Sequence, residues 1–241
     1  MKKMQNYIPL SMLVVGAFAT QTGCVDAGET LRILRNQAPD PNCEVPTGEE
    51  ASFLSSGIID VAASSGYIFT PLVESRAVED DATDRRTFLD GAVVKLKFAD
   101  EFFDAGTLTR LEEEGLSYFT QPFTGSIASN STAALKFEIV PKRLLEEMQA
   151  NLGDGEITRI TAEIELRGSI DGGDVNSPTY NYPIEVCNGC LSNDLGLCAD
   201  LATDEIRTGG ACQEKQDGVV DCCTDAVGEQ VCPAVAPDLE Q

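Results

Sequence analysis

Residues 160–190 read ITAEIELRGSIDGGDVNSPTYNYPIEVCNGC, and this stretch decides the fold class. Apolar side chains occupy every second position in its first and last parts. They are Ala162, Ile164 and Leu166, then Tyr180, Tyr182, Ile184 and Val186. A period of two places one set of side chains on each face of a β-strand. We therefore predict two half-buried strands joined through a turn.

The same alternation recurs upstream. The positions are Ala92, Val94, Leu96 and Phe98, then Ala133, Leu135, Phe137 and Ile139. Two shorter β-rich runs lie at 58–63 and 67–73, and Pro71 in the second predicts an edge strand or a bulge. Strands with one polar face are typical of antiparallel sheets. We predict an all-β domain over residues 51–186, an antiparallel β-sandwich of immunoglobulin- or fibronectin-like architecture.

Helix signals are few, so we predict one or two short helices. Pro141 suits a first helical turn, four apolar residues follow at helical spacing, and Gly153 is a stop signal. A second candidate spans residues 100–114, but Gly106 interrupts it.

Asp171-Gly172-Gly173-Asp174 lies between two predicted strands. Gly172-Gly173 is typical of a two-residue hairpin turn. A Ca²⁺ site formed by the carboxylates of Asp171 and Asp174 is the weaker alternative, because the sequence nearby lacks the further ligands of a calcium-binding loop. We favour the turn and predict no metal or cofactor.

Residues 187–241 form a cysteine-rich C-terminal segment with few large apolar side chains. Such a segment needs covalent links in place of a core, so we predict a small disulfide-rich cap. The cysteines assigned to disulfides are Cys43, Cys187, Cys190, Cys198, Cys212, Cys222, Cys223 and Cys232. Because seven of them lie in the tail, at least one must pair outside it, and Cys43 is the candidate.

The sequence leaves the connectivity of these cysteines open. Adjacent cysteines such as Cys222 and Cys223 normally take separate partners. A Cys₄ zinc site formed by Cys187, Cys190, Cys222 and Cys223 is a weaker alternative, as is a thioredoxin-like redox pair at Cys187 and Cys190.

The N-terminus resembles an export signal. Lys2 and Lys3 precede a twelve-residue apolar run at 8–19, which as a helix would reach roughly 18 Å and is too short to span a membrane. We predict a signal peptide at 1–23, lipidation at Cys24, and a lipid-anchored tether at 24–50. The chain has nine cysteines, so not all of them can form disulfides with one another. Acylation of Cys24 would leave eight, which can all pair, and this favours lipidation. Ordinary secretion after cleavage at Ala19 is the alternative.

The composition excludes several functional classes. The chain has 241 residues, with 17 Lys and Arg against 40 Asp and Glu, for a net charge of −23, and contains no histidine. Such an acidic chain is a poor partner for nucleic acid. Without histidine, Ser-His and Cys-His nucleophile pairs and histidine-containing zinc centres cannot form.

A resemblance follows from several of these segments together. They are the lipobox-like start, ILRNQ at 33–37, Cys43, GSIDGG at 168–173, YPIEVC at 182–187, GCL at 189–191 and the Cys222-Cys223 pair. This arrangement resembles a group of outer-membrane lipoproteins of predatory and soil bacteria that have no defined activity. The resemblance implies structural roles for Gly168, Gly172, Gly173, Pro183, Cys187, Cys190, Cys222 and Cys223. It implies no catalytic residue.

These observations lead to one functional hypothesis and two alternatives. The hypothesis is a non-enzymatic lipoprotein of the cell envelope, held at the outer membrane by its lipid and facing the periplasm or the surface. It would bind an envelope protein or glycan, or have an adhesive or structural role. The alternatives are a secreted hydrolase that uses paired carboxylates and a calcium-dependent adhesion module.

Overall fold

The chain is mostly β-strand. The structure, a computed structural model, describes residues 30–48, 50–77, 85–201 and 206–234. The predicted signal peptide and Cys24 lie outside the described residues.

The strands are β1 (Leu31–Gln37), β2 (Phe53–Leu54), β3 (Gly57–Asp60), β4 (Tyr67–Phe69), β5 (Pro71–Ser75), β6 (Arg86–Phe98), β7 (Tyr118–Ala128), β8 (Ser131–Ala134), β9 (Phe137–Val140), β10 (Ile157–Ile170), β11 (Gly173–Asn176), β12 (Tyr180–Cys187), β13 (Ser192–Leu197), β14 (Val220–Thr224) and β15 (Gln230–Val231). The α-helices are α1 (Ala105–Glu113) and α2 (Lys142–Gln149), and a 3₁₀-helix spans Cys198–Asp200. The predicted all-β class is confirmed.

The largest sheet has the order β3-β12-β10-β6-β7, and β11 pairs with β10. Its centre is β10, where Ile164 lies opposite Val94 of β6 and Tyr180 of β12. The apolar residues of the predicted alternation in β10 are fully buried. Alternation therefore identified the strands β6, β10 and β12 correctly.

Three smaller sheets complete the structure. Their orders are β2-β1-β5-β8, β4-β9 and β13-β14-β15. The four-stranded sheet shares one apolar core with the largest sheet, since Leu31 and Val73 cluster with Val94 and Ile164.

Two strand pairs depart from the expected antiparallel pattern. β3 runs parallel to β12, and β13 runs parallel to β14. Neither pair is joined by a hairpin, so no tight turn fixes an antiparallel direction.

Two predicted strands are each divided in the structure. The run at 67–73 breaks at Thr70 into β4 and β5, and the run at 133–139 breaks into β8 and β9. In both cases the two halves belong to different sheets.

Pro71 is the first residue of β5, which lies between β1 and β8, so the edge alternative was wrong. Proline is tolerated there because the first residue of a strand can lack a donor. The bulge alternative agrees with the register shift in the β1–β5 pairing between Ile33 and Arg35.

The predicted helix after Pro141 is confirmed as α2, which buries Leu144, Leu145 and Met148. The candidate at 100–114 forms the shorter α1. Asp104 caps it by accepting hydrogen bonds from the N–H groups of Gly106 and Thr107. Gly106 lies in the first turn, where it does not interrupt the helix.

Part of the predicted tether lies in a sheet. Residues 31–37 form β1, which pairs with β2 and β5. Leu31 is fully buried, and burial of this apolar segment explains why it joins the sheet.

Candidate functional site

Eight cysteines form four disulfides. The bonds join Cys43 to Cys212, Cys187 to Cys190, Cys198 to Cys223, and Cys222 to Cys232. The predicted link between Cys43 and the tail is therefore present, with a sequence separation of 169. Cys222 and Cys223 take separate partners, as expected. The pairing leaves no thiolate in these eight residues for the alternative zinc site.

The acidic segment at 171–174 is a hairpin turn. Asp171 and Gly172 connect β10 to β11, with φ angles of 52° and 80°. Positive φ at both positions is typical of a type I′ turn. The turn residues are thus Asp171-Gly172, one position earlier than predicted. Asp171 forms an ion pair with Arg85 at 2.9 Å, and no group of three metal-ligating side chains occurs in the described ranges.

The tail extends the largest sheet at β3. The main-chain N–H of Asp60 donates to the Lys215 carbonyl at 3.0 Å, and that of Asp217 donates to the Ile58 carbonyl at 2.9 Å. Residues 215–217 therefore pair with β3 through an isolated antiparallel bridge between Ile59 and Gln216. This pairing covers a main-chain edge that would otherwise be open.

Two glutamine side chains from the same loop cover the segment around β4. The Gln216 amide accepts from the N–H of Ile68 and donates to its carbonyl, both at 2.8 Å. The Gln213 amide accepts from the N–H of Ser65 at 3.1 Å and donates to the Gly66 carbonyl at 2.9 Å. Each amide thus satisfies one main-chain donor and one acceptor, as a neighbouring strand would.

Asp217 joins the tail to a buried polar cluster. Its carboxylate accepts from the Tyr67 hydroxyl at 2.7 Å, the N–H of Ile58 at 2.8 Å and the Gln216 amide at 3.1 Å. The Tyr67 and Tyr182 hydroxyls lie 3.0 Å apart. The Asn36 amide in turn donates to Tyr182 at 2.8 Å. The cluster therefore connects the four-stranded sheet, β4, the largest sheet and the tail.

Burial shifts the titration of this cluster. Burial raises the pKa of the Asp217 carboxyl, although its three hydrogen bonds oppose part of that increase. Burial also raises the pKa of Tyr67 and Tyr182, and the negative charge of Asp217 acts in the same direction. Burial therefore disfavours the charged form of all three groups.

A cleft lies beside this cluster. A groove of about 440 Å³ is lined by Pro39, Pro41, Pro233, Glu214 and residues 208–211. A smaller cavity of about 110 Å³ adjoins it, since both include Pro39, Gly210 and Ala211. Gln216 and Asp217 line the smaller cavity.

The loop that shapes the cleft depends on glycine. A Cβ atom on Gly210 would lie 1.7 Å from the main-chain oxygen of Gln216. The main chain can approach residues 213–216 this closely only because Gly210 has no side chain. The Cys43–Cys212 bond then links this loop to the segment that carries Pro39 and Pro41.

Replacement of Asp217 by Asn should change how stability depends on pH. Because the folded-state pKa of Asp217 is raised, its contribution to stability is present below its unfolded pKa of about 3.9 and is lost as pH rises through the folded value. The asparagine of the Asp217→Asn variant does not titrate. The free energy of unfolding of the variant minus that of wild type should therefore increase as pH rises from about 3.9 through the folded-state pKa of Asp217. Urea unfolding at a series of pH values measures the difference.

Glu74→Gln provides a control of opposite sign. Burial acts to raise the pKa of Glu74, but hydrogen bonds from Arg32 and Arg76 outweigh it and lower that pKa. The contribution of Glu74 is therefore present above its unfolded pKa and lost on acidification. If the stability difference from wild type changes with pH in the same direction for both variants, the assigned directions of the two pKa shifts are wrong.

One edge of the largest sheet has no partner among the strands that the structure describes. β7 pairs with β6, and no other described strand pairs with it. Residues 115–135, which include β7, contain no charged residue, whereas 24% of the whole chain is charged. Pro122 in this strand suits an edge position.

No protein-family model matches the chain, and no curated protein or solved structure matches it either. Within the described residues, none of the helices has the length and apolar character needed to cross a bilayer.

Sequence reasoning missed most of this site. It identified Cys43 and Cys212 as disulfide residues and Tyr182 as a strand residue, but not Gln213, Gln216 or Asp217. The consecutive glycines before Cys212 were the available signal for a close main-chain approach. The partners of that approach lie in distant segments, so the sequence did not identify them.

Proposed function

We propose that this protein is a non-enzymatic lipoprotein of the cell envelope, exported, acylated at Cys24 and engaged in binding. The observation that carries the proposal is the pairing of all eight other cysteines in disulfides. Cys24 is then the one cysteine left over, and it lies in the lipobox-like sequence. Disulfides form after export into an oxidising compartment, and a cysteine without a partner is suited to acylation.

We also propose that the largest and the four-stranded sheets form the two layers of a β-sandwich with immunoglobulin- or fibronectin-like architecture. The apolar core that both sheets share supports this arrangement. The sandwich would present the cleft and the free edge of β7 on one covalently linked scaffold.

Two surfaces support a binding role, with an envelope protein or glycan as partner. The uncharged edge of β7 can accept an extended segment through main-chain hydrogen bonds. The cleft between the Pro39 segment and the tail offers a concave site with apolar and polar groups.

A hydrolase is the second candidate, and one observation favours it. Asp217 is a partly buried carboxyl with a raised pKa, and it lines a cavity. Glycosidases, however, use two carboxyl groups across one substrate bond. Asp217 is the sole acid among the described residues that line the smaller cavity, and Glu214, which lines the adjoining groove, is exposed and lacks the burial that would mark it as a second catalytic acid. We therefore favour binding.

Mass spectrometry of the intact, non-reduced protein tests the proposed function. We expect a mature chain that begins at Cys24, carries acyl chains and has no titratable thiol. A Cys24→Ser variant should lack the acyl mass and leave the membrane fraction, because two or three acyl chains at about 0.8 kcal/mol per buried CH₂ provide the anchorage.

The opposite result is equally clear. A wild-type chain that begins at Thr20, with one free thiol and no acyl group, would contradict the lipoprotein assignment. If the acylated form is found, labelling of intact cells with a membrane-impermeant reagent distinguishes a surface-facing domain from a periplasmic one.

A further inference from the structure

The cavity beside Asp217 has this acid among lining residues that are largely apolar or small. Ala38, Pro39 and Leu54 line it together with Asp217, and its volume is about 110 Å³. At about 30 Å³ for each water molecule in the liquid, it has room for a small polar head group rather than a whole ligand. The adjoining groove of about 440 Å³ can hold the rest of a ligand.

Asp217 has hydrogen-bond donors but no countercharge. Its three donors are the N–H of Ile58, the Tyr67 hydroxyl and the Gln216 amide, all of which are neutral. Among the described residues, no lysine or arginine forms an ion pair with this carboxylate. A partly buried carboxylate is stabilised when a cation comes within about 4 Å.

We propose that this cleft binds a primary alkylammonium group, with the ammonium at Asp217 and its apolar stem along the prolines of the groove. The inference rests on the proposed binding role and names the ligand chemistry of that same cleft. The overall charge of −23 favours the approach of a cation from solution.

The site suits an ammonium group better than a metal ion. Ca²⁺ takes six to eight oxygen ligands, whereas the described residues contain no group of three metal-ligating side chains. An ammonium has three donors, and its methylene stem gains from contact with apolar walls. Proline rings at Pro39 and Pro41 provide such walls.

Titration of the full-length oxidised protein with n-pentylamine at pH 7 tests the inference, with 1-pentanol as the uncharged matched ligand. Isothermal calorimetry or NMR shifts give the dissociation constants. We expect the amine to bind at least tenfold more tightly than the alcohol. Asp217→Asn should raise the dissociation constant of the amine at least tenfold and leave that of the alcohol unchanged.

A matched control and a second variant keep the test independent of folding. Asp174→Asn removes an exposed acid on β11, outside this cleft, and should leave the amine affinity within twofold. Ala211→Leu adds bulk at an exposed position that lines both the groove and the cavity, so it should weaken amine binding at least tenfold without a change in charge. Near-UV circular dichroism checks that each variant is folded.

Equal affinities for amine and alcohol would overturn the inference, as would equal effects of the two Asp→Asn variants. That failure would leave the lipoprotein proposal intact, because the mass and labelling experiments test it separately. A peptide, acetyl-Gly-Lys-Gly-amide, distinguishes the two sources of the ligand. Tighter binding of the peptide than of n-pentylamine assigns the site to a lysine of a partner chain, and the reverse assigns it to a free amine.

Discussion

Replacement of both Cys43 and Cys212 by alanine is expected to lower the free energy of unfolding by about 5 kcal/mol. The disulfide closes a loop with a sequence separation of 169, and the chain entropy that it removes from the unfolded state grows with the logarithm of loop length. Both residues are partly exposed, so the substitution creates little buried cavity. Denaturant unfolding under non-reducing conditions measures the change.

The serine pair, Cys43→Ser with Cys212→Ser, is the matched control. It should give the same loss as the alanine pair if the effect comes from the lost chain linkage. A loss below about 2 kcal/mol in both variants would show that the bond contributes little to folding. The bond also joins the two segments that line the cleft, so its loss should weaken ligand binding there.

Gln216→Ala is expected to lower the free energy of unfolding by about 3 kcal/mol. The side chain is nearly fully buried and satisfies both the N–H and the carbonyl of Ile68. Removal of the amide leaves both main-chain groups without their partner, at about 1–3 kcal/mol for each buried group. The same substitution removes one of the three donors to Asp217.

Gln149→Ala provides the control for this prediction. Gln149 is exposed at the end of α2, and its replacement should change the free energy of unfolding by less than about 0.5 kcal/mol. Proteolysis adds a local measurement, because loss of the Gln216 contacts should expose residues 206–218 to cleavage before the rest of the domain. Equal stabilities of the two variants would contradict the proposed role of the amide.

Both predictions concern how the tail is held, and both bear on function. The loop at 208–217 is fixed by the Cys43–Cys212 bond, by its pairing with β3 and by the two glutamine amides. The cleft lies between this loop and the Pro39 segment. The geometry of the proposed site therefore depends on contacts between segments more than 140 residues apart.

Local patterns predicted the parts of the fold that depend on local physics. Period-two alternation located β6, β10 and β12, and helical spacing after Pro141 located α2. Alternation also continues through a bend, so it could not show that the runs at 67–73 and 133–139 each divide between two sheets. The position of Gly106 within α1 was misjudged because the capping role of Asp104 was not recognised.

The sequence by itself determined the all-β class, the need for disulfides in the tail and the involvement of Cys43. These conclusions follow from residue spacing, from the scarcity of apolar side chains after Val186 and from cysteine parity, which are properties of the chain and need no coordinates. Only the tertiary structure decided which cysteines pair, which strand edges the tail covers and where Asp217 lies. A carboxylate acquires its neighbours and its burial through long-range contacts, and the order of residues along the chain does not encode those distances directly.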